Sequence, residues 1–251
     1  MIEKLGVQLY TIRDYMDTPE QLRESFRKLK AIGYDQAQTA GCKVPYETFG
    51  QIAREEGIEI VGTHDDFALM CGDFDAAWRT HQLLGTKLLG IGGWSYGGEE
   101  AFREFIQKAN QVGAKAAALG GKFTYHNHSH EFIKQDNGLT VMEMLVQGLD
   151  PDTTSFVLDT YWVQHGGGDV RHWIERLSGR IDILHLKDMG KNAETQFITE
   201  IGNGNLYWEG IMESAQKAGV KYYVVEQDTC PGDPFESLRR SSEYIHRNFM
   251  K

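Results

Sequence analysis

Residues 5–38 contain the unit from which the rest of the chain is built. The run Leu5–Tyr10 (LGVQLY) predicts a β-strand, and Thr18-Pro19-Glu20-Gln21 combines an N-cap residue, a proline at the first helical position and a capping-box glutamine. The helix predicted from there ends at Ala31-Ile32-Gly33, and a second strand candidate, Tyr34–Gln38, follows at once. The order is therefore strand, loop, helix, glycine and strand.

The same unit recurs along the chain. Further helices are expected to end at Gly57, Gly85 and Gly219, and Asp73 and Asp169 are expected to cap two of them. Strict alternation of strands and helices predicts a parallel sheet, and eight units is the number that closes a (β/α)8 TIM barrel. The predicted strands are Leu5–Tyr10, Tyr34–Gln38, Ile58–His64, Lys87–Gly92, Lys122–Asn127, Ser155–Asp159, Ile181–Lys187 and Tyr222–Glu226.

An open doubly wound sheet is the alternative fold. It is disfavoured because no dinucleotide-type glycine fingerprint follows the first strand. No linker or shift in composition divides the chain either, so we expect a single TIM-barrel domain over residues 1–251.

The composition restricts the partners of the protein. The formal net charge of -10 disfavours nucleic acids and anionic lipids, because both need a basic surface to displace counterions. No apolar stretch approaches the length of a membrane span, and the first residues lack the charged and apolar blocks of a signal peptide. The three cysteines are far apart, so we expect no disulfide framework and a reducing, cytoplasmic location. The oligomeric state stays open, and a homo-oligomer is compatible with the sequence.

Polar side chains are concentrated where the predicted strands end, which in such a barrel is the face that carries the active site. They are Gln8, Tyr10, Gln38, His64, Trp94, His126, Asn127, His128, Glu131, Asp159, His185, Lys187 and Glu226. Asp159 and Glu226 end apolar strands, where an unpaired charge is costly, so each requires a partner. With an imidazole they form a mixed oxygen and nitrogen set that suits Mn²⁺, Co²⁺, Zn²⁺ or Mg²⁺. Alternatively, both carboxylates simply pair with His185, Lys187 or Arg13.

Several short motifs extend over nearly the whole chain. They are Gly6–Asp14 (GVQLYTIRD), Tyr125–Phe132 (YHNHSHEF), Val157–Thr160 (VLDT), His185–Asp188 (HLKD), Ile201–Gly204 (IGNG) with Trp208 beyond, and Val225-Glu226. Together they resemble the sugar phosphate isomerase/epimerase family of xylose isomerase-like TIM barrels, which also includes inosose dehydratase and endonuclease IV relatives. The run YHNHxxEF is the most specific of them and indicates a subgroup of that family.

The resemblance implies one divalent metal ion held by four side chains from late strands, commonly Glu, Asp, His and Glu. Asp159, His185 and Glu226 match the last three positions. At the first position His126 is in the aligned place, and Glu131 follows a few residues later. We expect Glu131 to complete the site, because a third carboxylate better neutralises a divalent ion, and His126 is the alternative.

The activity that the resemblance implies is isomerisation or epimerisation of a sugar or sugar phosphate. A divalent ion bound to the substrate acidifies the C–H next to a carbonyl, so that removal of the proton gives an enediolate. Candidate acid–base residues are Glu226, His64, His128 and Lys187. Candidate substrate-binding residues are Tyr10, Gln38, Trp94, Asn127 and Trp162. Gln38 departs from the glutamate that relatives often carry near this position, which weakens any transfer of substrate specificity.

Three other functions are open. A metal-dependent dehydratase or lyase acting on a keto-inositol or 3-keto-sugar shares the first proton abstraction. A DNA repair endonuclease is disfavoured by the acidic charge and the sparse ligand set, and a binding protein without catalysis would keep the pocket without needing the metal. The segments 92–98 and 166–168 are rich in glycine. They are compatible with a phosphate cradle, although a flexible lid or a plain loop is the simpler interpretation.

Overall fold

The computed structural model describes residues 2–250, and its strands confirm the predicted barrel. The strands are β1 Gly6–Gln8, β2 Gln36–Ala40, β3 Glu59–His64, β4 Leu88–Ile91, β5 Lys122–His126, β6 Thr154–Asp159, β7 Ile181–Leu186, β8 Asp188–Lys191, β9 Gln196–Thr199 and β10 Tyr222–Val225. Eight of them pair in parallel in the order β3-β2-β1-β10-β7-β6-β5-β4. Between the outer strands, Asp65 donates its N–H to Gly90 O at 2.8 Å. The sheet therefore forms a nearly closed (β/α)8 barrel.

Helices follow the strands around the barrel. They are α1 Pro19–Ala31, α2 Tyr46–Glu55, α3 Phe67–Gly72, α4 Phe74–Leu84, α5 Glu99–Ala118, α6 Val141–Gly148, α7 Thr160–His165, α8 Val170–Arg176, α9 Trp208–Lys217 and α10 Pro234–Phe249, with 3-10 helices at Leu9–Tyr15 and His130–Phe132. The predicted caps are confirmed: Thr18 and Gln21 form a capping box, and Asp73 and Asp169 accept backbone N–H groups of α4 and α8. Over residues 2–250, no helix combines the length and the apolar character needed to cross a bilayer.

The interior of the barrel is a small apolar layer formed by Val61, Val157, Ile183 and Val224. A much larger core lies between the strands and the surrounding helices. Because side chains alternate along a strand, the residues two positions beyond Val157, Ile183 and Val224 also point inward. The inward-facing side chains at the C-terminal ends of β6, β7 and β10 are thus polar ones, standing above an apolar floor.

Two elements differ from the predicted strands. The first strand stops at Gln8, because the Gln8 side chain accepts the N–H of Tyr10 and begins a 3-10 helix there. After β7, the antiparallel hairpin of β8 and β9 was not predicted. Its turn is made by Asn192, whose side-chain oxygen accepts the N–H groups of Glu194 and Thr195. Each hairpin strand has only four residues, and half of these residues are polar, so their pattern resembles that of a loop.

Candidate active site

Four buried side chains meet at the C-terminal end of the barrel: His126, Asp159, His185 and Glu226. They come from the ends of β5, β6, β7 and β10, which are neighbouring strands in the sheet. Nε2 of His126 lies 3.5 Å from Oδ2 of Asp159, and Nδ1 of His185 lies 3.0 Å from Oε2 of Glu226. Each residue offers one ligand atom, and these atoms all lie within 4.8 Å of one another. These four residues could hold a metal ion, and we call them the metal cluster.

The hydrogen bonds of the two histidines test whether a cation fits between them. His126 donates its Nδ1–H to Gly92 O at 3.0 Å, and His185 donates its Nε2–H to Gln38 Oε1 at 2.5 Å. A neutral imidazole has one N–H, so the opposite nitrogen of each ring directs a lone pair at a carboxylate. Nδ1 of His185 has no hydrogen-bond partner among residues 2–250. Two imidazole nitrogens with two carboxylates are a ligand set that fits a divalent metal ion.

Gln38 accepts the N–H of His185 and is not among the residues that line the cavity, where we had expected it to bind substrate. We infer that it orients His185 as a metal ligand. We expect Gln38→Leu, which removes the acceptor and keeps the volume, to lower metal affinity by about 10- to 100-fold. The matched control is Gln36→Leu on the same strand, whose side chain bonds Glu59 instead. Calorimetric titration with Mn²⁺ measures the metal affinity of both variants and of the native protein. Equal affinities for the two would refute the orienting role.

Lys187 is buried beside the metal cluster and contacts three carboxylates. Its Nζ lies 3.1 Å from Asp159 Oδ2, 2.8 Å from Glu226 Oε2 and 2.8 Å from Asp228 Oδ1. Burial disfavours the ammonium form, but the attraction of the three carboxylates outweighs it and raises the pKa of Lys187. All three N–H groups are engaged, so Lys187 balances charge and positions the carboxylates.

Asp228 was missed in the sequence. Its carboxylate lines the cavity above the metal cluster, and burial raises its pKa above the ordinary value. A signal was available, since Val224, Glu226 and Asp228 continue the two-residue alternation of β10 beyond the end of the strand. The same alternation runs through Ile183, His185 and Lys187.

His64 is held as a neutral hydrogen-bond donor. Gln8 accepts the N–H of Tyr10 with its Oε1, so its Nε2 amide faces Nδ1 of His64, at 3.3 Å, and donates to it. The proton of the imidazole is therefore on Nε2, which has no hydrogen-bond partner in the described chain. Burial, followed by repulsion from His126 and His185, lowers the pKa of His64 well below its ordinary value.

His128 is a second neutral imidazole facing the cavity. Burial, reinforced by His126, lowers its pKa to about 3. Gly93 makes room for this ring: its φ is 142°, and a Cβ there would lie 3.0 Å from Nδ1 of His128. A larger residue at position 93 would push His128 aside.

A cavity of about 520 Å³ opens above these groups. It is lined by Tyr10, Ala40, Gly41, His64, Asp65, Asp66, Gly92, His126, His128, Lys187, Glu226 and Asp228. In the sheet order β3 and β7 are four strands apart, so His64 and Lys187 lie on opposite sides of the barrel axis. His64, followed by Asp65 and Asp66, therefore faces Lys187, Glu226 and Asp228 across the cavity.

Comparison with known proteins identifies the family. Residues 26–247 match the family model described as xylose isomerase-like TIM barrel. The chain belongs to this family. In this xylose isomerase-like barrel, the polar strand ends and the cavity occupy the face where barrel enzymes hold their active sites.

The individual relatives are distant. The chain is 26% identical over 165 residues to inosose dehydratase from Geobacillus thermodenitrificans, covering 59% of this chain and 54% of that protein. It is 29% identical over 166 residues to inosose dehydratase from Mesomycoplasma hyopneumoniae, covering 58% and 54%. The chain thus spans about half the length of these curated relatives. A solved sugar phosphate isomerase/epimerase from Parabacteroides distasonis shares the fold, with a TM-score of 0.82 at 21% identity, covering 98% of this chain and 94% of that one.

Glu131, our expected fourth ligand in this xylose isomerase-like barrel, lies outside the metal cluster. Its Oε1 accepts the hydroxyl of Tyr125 and its Oε2 accepts the backbone N–H of His128, both at 2.8 Å. The 3-10 helix His130–Phe132 turns the buried carboxylate back toward the strand, so both oxygens are occupied. The geometry favours the alternative, His126, and gives Glu131 the task of holding the loop that carries His128.

Of the remaining residues expected to bind substrate, one lines the cavity and three do not. Tyr10 lines the cavity. Trp94 instead stacks on Phe105 of α5 with ring centroids 4.7 Å apart, because apolar space between barrel and helix is available there. Asn127 is fully buried and accepts the N–H of Asp159, so it supports the strand. Trp162 lies close by, with its ring centroid 5.2 Å from Nζ of Lys187, but is not part of the lining.

Proposed function

We propose that the chain is a metal-dependent enzyme that isomerises or epimerises a small keto-sugar by removing a proton next to its carbonyl group. The metal cluster carries the proposal, since its two imidazoles are fixed by Gly92 and Gln38 with their lone pairs facing two carboxylates. Membership of the xylose isomerase-like family supports it. A divalent metal held by His126, Asp159, His185 and Glu226 supplies Lewis acidity that makes the C–H next to a carbonyl more acidic.

We assign proton removal to Asp228. Glu226 was the candidate base from sequence, but Lys187 and His185 outweigh the effect of burial and lower its pKa, which suits a metal ligand better than a base. Asp228 has a raised pKa and faces the cavity. The C–H proton moves to its carboxylate, and the electron pair moves toward the carbonyl oxygen to give an enediolate. Return of the proton to the neighbouring carbon, with transfer of that carbon's hydroxyl proton to the former carbonyl oxygen, completes isomerisation. Return of a proton to the opposite face of the original carbon completes epimerisation, and neither reaction gains or loses atoms.

The neutral histidines act on the other side of the substrate. His64 directs its Nε2–H into the cavity and is placed to hydrogen-bond the oxygen on which negative charge develops. His128 is positioned to exchange a proton with a hydroxyl group. Lys187 keeps Asp228 and Glu226 in place from the opposite wall.

A dehydratase is the second candidate, and the inosose dehydratase relatives favour it. Its first step is the same proton removal. The enediolate then expels a hydroxyl group from the next carbon, and that group leaves as water after taking a proton. His128 is the residue placed to supply this proton.

Incubation with keto-sugars and a keto-inositol in deuterated buffer, with Mn²⁺ present, separates these reactions. We expect deuterium at the carbon next to the carbonyl, because the abstracted proton exchanges with solvent before it returns. Retention of the substrate formula indicates an isomerase or epimerase, and loss of water indicates a dehydratase.

The control for this experiment is Asp228→Asn, which should abolish deuterium incorporation while Mn²⁺ still binds. If no carbon-bound deuterium appears with the native protein and any of these substrates, the proposed chemistry is wrong.

A further inference from the structure

The charge of the cavity lining indicates which sugars it accepts. Among the described lining residues, four carboxylates, those of Asp65, Asp66, Glu226 and Asp228, accompany the single ammonium group of Lys187. A divalent ion in the metal cluster still leaves this lining with excess negative charge. Any anionic part of a substrate would therefore meet like charges.

Neither the ammonium group nor the imidazoles of the lining offer an unpaired positive charge to an anion. All three donors of Lys187 are engaged by Asp159, Glu226 and Asp228. Nδ1 of His64 accepts the Gln8 amide, so this ring is held as a neutral hydrogen-bond donor and carries no charge for an anion. A phosphate group entering the cavity would find no unengaged cation among these residues.

Two cations lie beside the mouth, in a depression of about 180 Å³ that shares Tyr10 with the cavity. Arg13 donates to the carbonyl oxygens of Tyr10 and Asp228, at 2.7 and 3.1 Å, and lies over the Tyr10 ring. Lys43 pairs with Asp17 at 2.7 Å. Both cations already have partners within the chain.

The glycine-rich segments also serve packing instead of forming a phosphate cradle. A Cβ on Gly93 would lie 3.0 Å from Nδ1 of His128, and one on Gly166 would lie 2.6 Å from the Phe132 ring. These glycines therefore admit neighbouring side chains, which favours the plain-loop interpretation of both segments.

We propose, building on the proposed function, that the substrate is an unphosphorylated keto-sugar or keto-polyol, and that the acidic rim of Asp65, Asp66 and Asp228 excludes phosphate esters. Sugar hydroxyls are donors that carboxylate oxygens accept well. Asp65 is fixed for such a contact, since Tyr46 donates its hydroxyl to Oδ2 and Asp66 donates its N–H to Oδ1. A phosphate dianion is instead repelled by the same carboxylates.

The test compares ketohexoses and ketopentoses with their terminal phosphate esters, using the Mn²⁺-loaded protein and measuring both turnover and direct binding by calorimetry. We expect binding of each ester to be weaker than that of its free sugar by roughly tenfold or more, because charges in a partly buried site repel appreciably. Raising the salt concentration should narrow the gap by screening this repulsion. Equal or preferential binding of the esters would overturn the proposal, as would failure of both classes to bind.

Asp66→Asn refines the test, because asparagine still caps α3 through the N–H of Ala68 while the rim loses one charge. Discrimination against the ester should fall several-fold in this variant, and Asp73→Asn, which caps α4 outside the cavity, should leave it unchanged. An unchanged ratio in Asp66→Asn contradicts the role of the rim. Turnover of esters in preference to free sugars would refute this inference but support the proposed function. Preferential binding of free sugars without any turnover would support this inference but refute the proposed function.

Discussion

Replacing Asp159 with asparagine is expected to lower metal affinity by more than about 100-fold and to abolish activity while the barrel stays folded. Loss of a direct ligand should exceed the roughly 10- to 100-fold effect of losing a group that only orients a ligand. The substitution is specific, because Oδ1 of Asp159 accepts the N–H of Trp162 at the start of α7 and asparagine retains that cap. Elemental analysis after dialysis measures the bound metal, and circular dichroism of the same samples shows whether the barrel stays folded.

Asp169→Asn is the matched control. Asp169 caps α8 in the same way, through the N–H of His172, and lies outside the cavity lining. The Asp169→Asn variant should retain native metal content and activity. Full metal occupancy in Asp159→Asn would show that Asp159 is not a ligand, and unfolding of that variant alone would show that its role is structural.

The second large effect separates the two candidates for the fourth ligand. His126→Asn should lose metal affinity by at least about 100-fold, since it removes a nitrogen that faces Asp159. Glu131→Gln should bind metal almost as the native protein does, because neither carboxylate oxygen faces the metal cluster. Its activity should nevertheless fall by up to about 100-fold, because Glu131 holds the backbone of His128 and small displacements of a reacting group are costly.

Two measurements on the same preparations decide which residue is the fourth ligand. They are titration of both variants with Mn²⁺, which gives the metal affinity, and measurement of turnover. Native metal affinity in His126→Asn together with a large loss in Glu131→Gln would restore the assignment based on charge alone. Charge alone does not decide the fourth ligand, because Tyr125 and the His128 amide already satisfy the Glu131 carboxylate.

The sequence was sufficient for the barrel because its signals are local. Each strand is short and bounded by a capped helix or a glycine, as at Thr18 and Gly33, and these features depend on neighbouring residues only. Asp159, His185 and Glu226 were predictable for a related reason: each stands where an apolar strand ends, and in a parallel barrel all such ends meet on one face.

The remaining features of the site depend on contacts that the sequence does not encode locally. Glu131 and His126 are five residues apart, and only the turn between them decides which one faces Asp159. Trp94 follows a strand end as the other candidates do, but it packs against α5 because Phe105 offers a stacking partner. Whether Gln38 reaches the substrate or a ligand depends on β2 and β7, which are three strands apart in the sheet, facing each other across the interior of the closed barrel.

The most direct test of the metal cluster is a crystal structure grown with Mn²⁺ and recorded at wavelengths on both sides of the manganese absorption edge. We predict one anomalous peak per chain, within coordination distance of Nε2 of His126, Oδ2 of Asp159, Nδ1 of His185 and an oxygen of Glu226. No peak at these residues, or a peak held by Glu131 and His128 instead, would contradict the account.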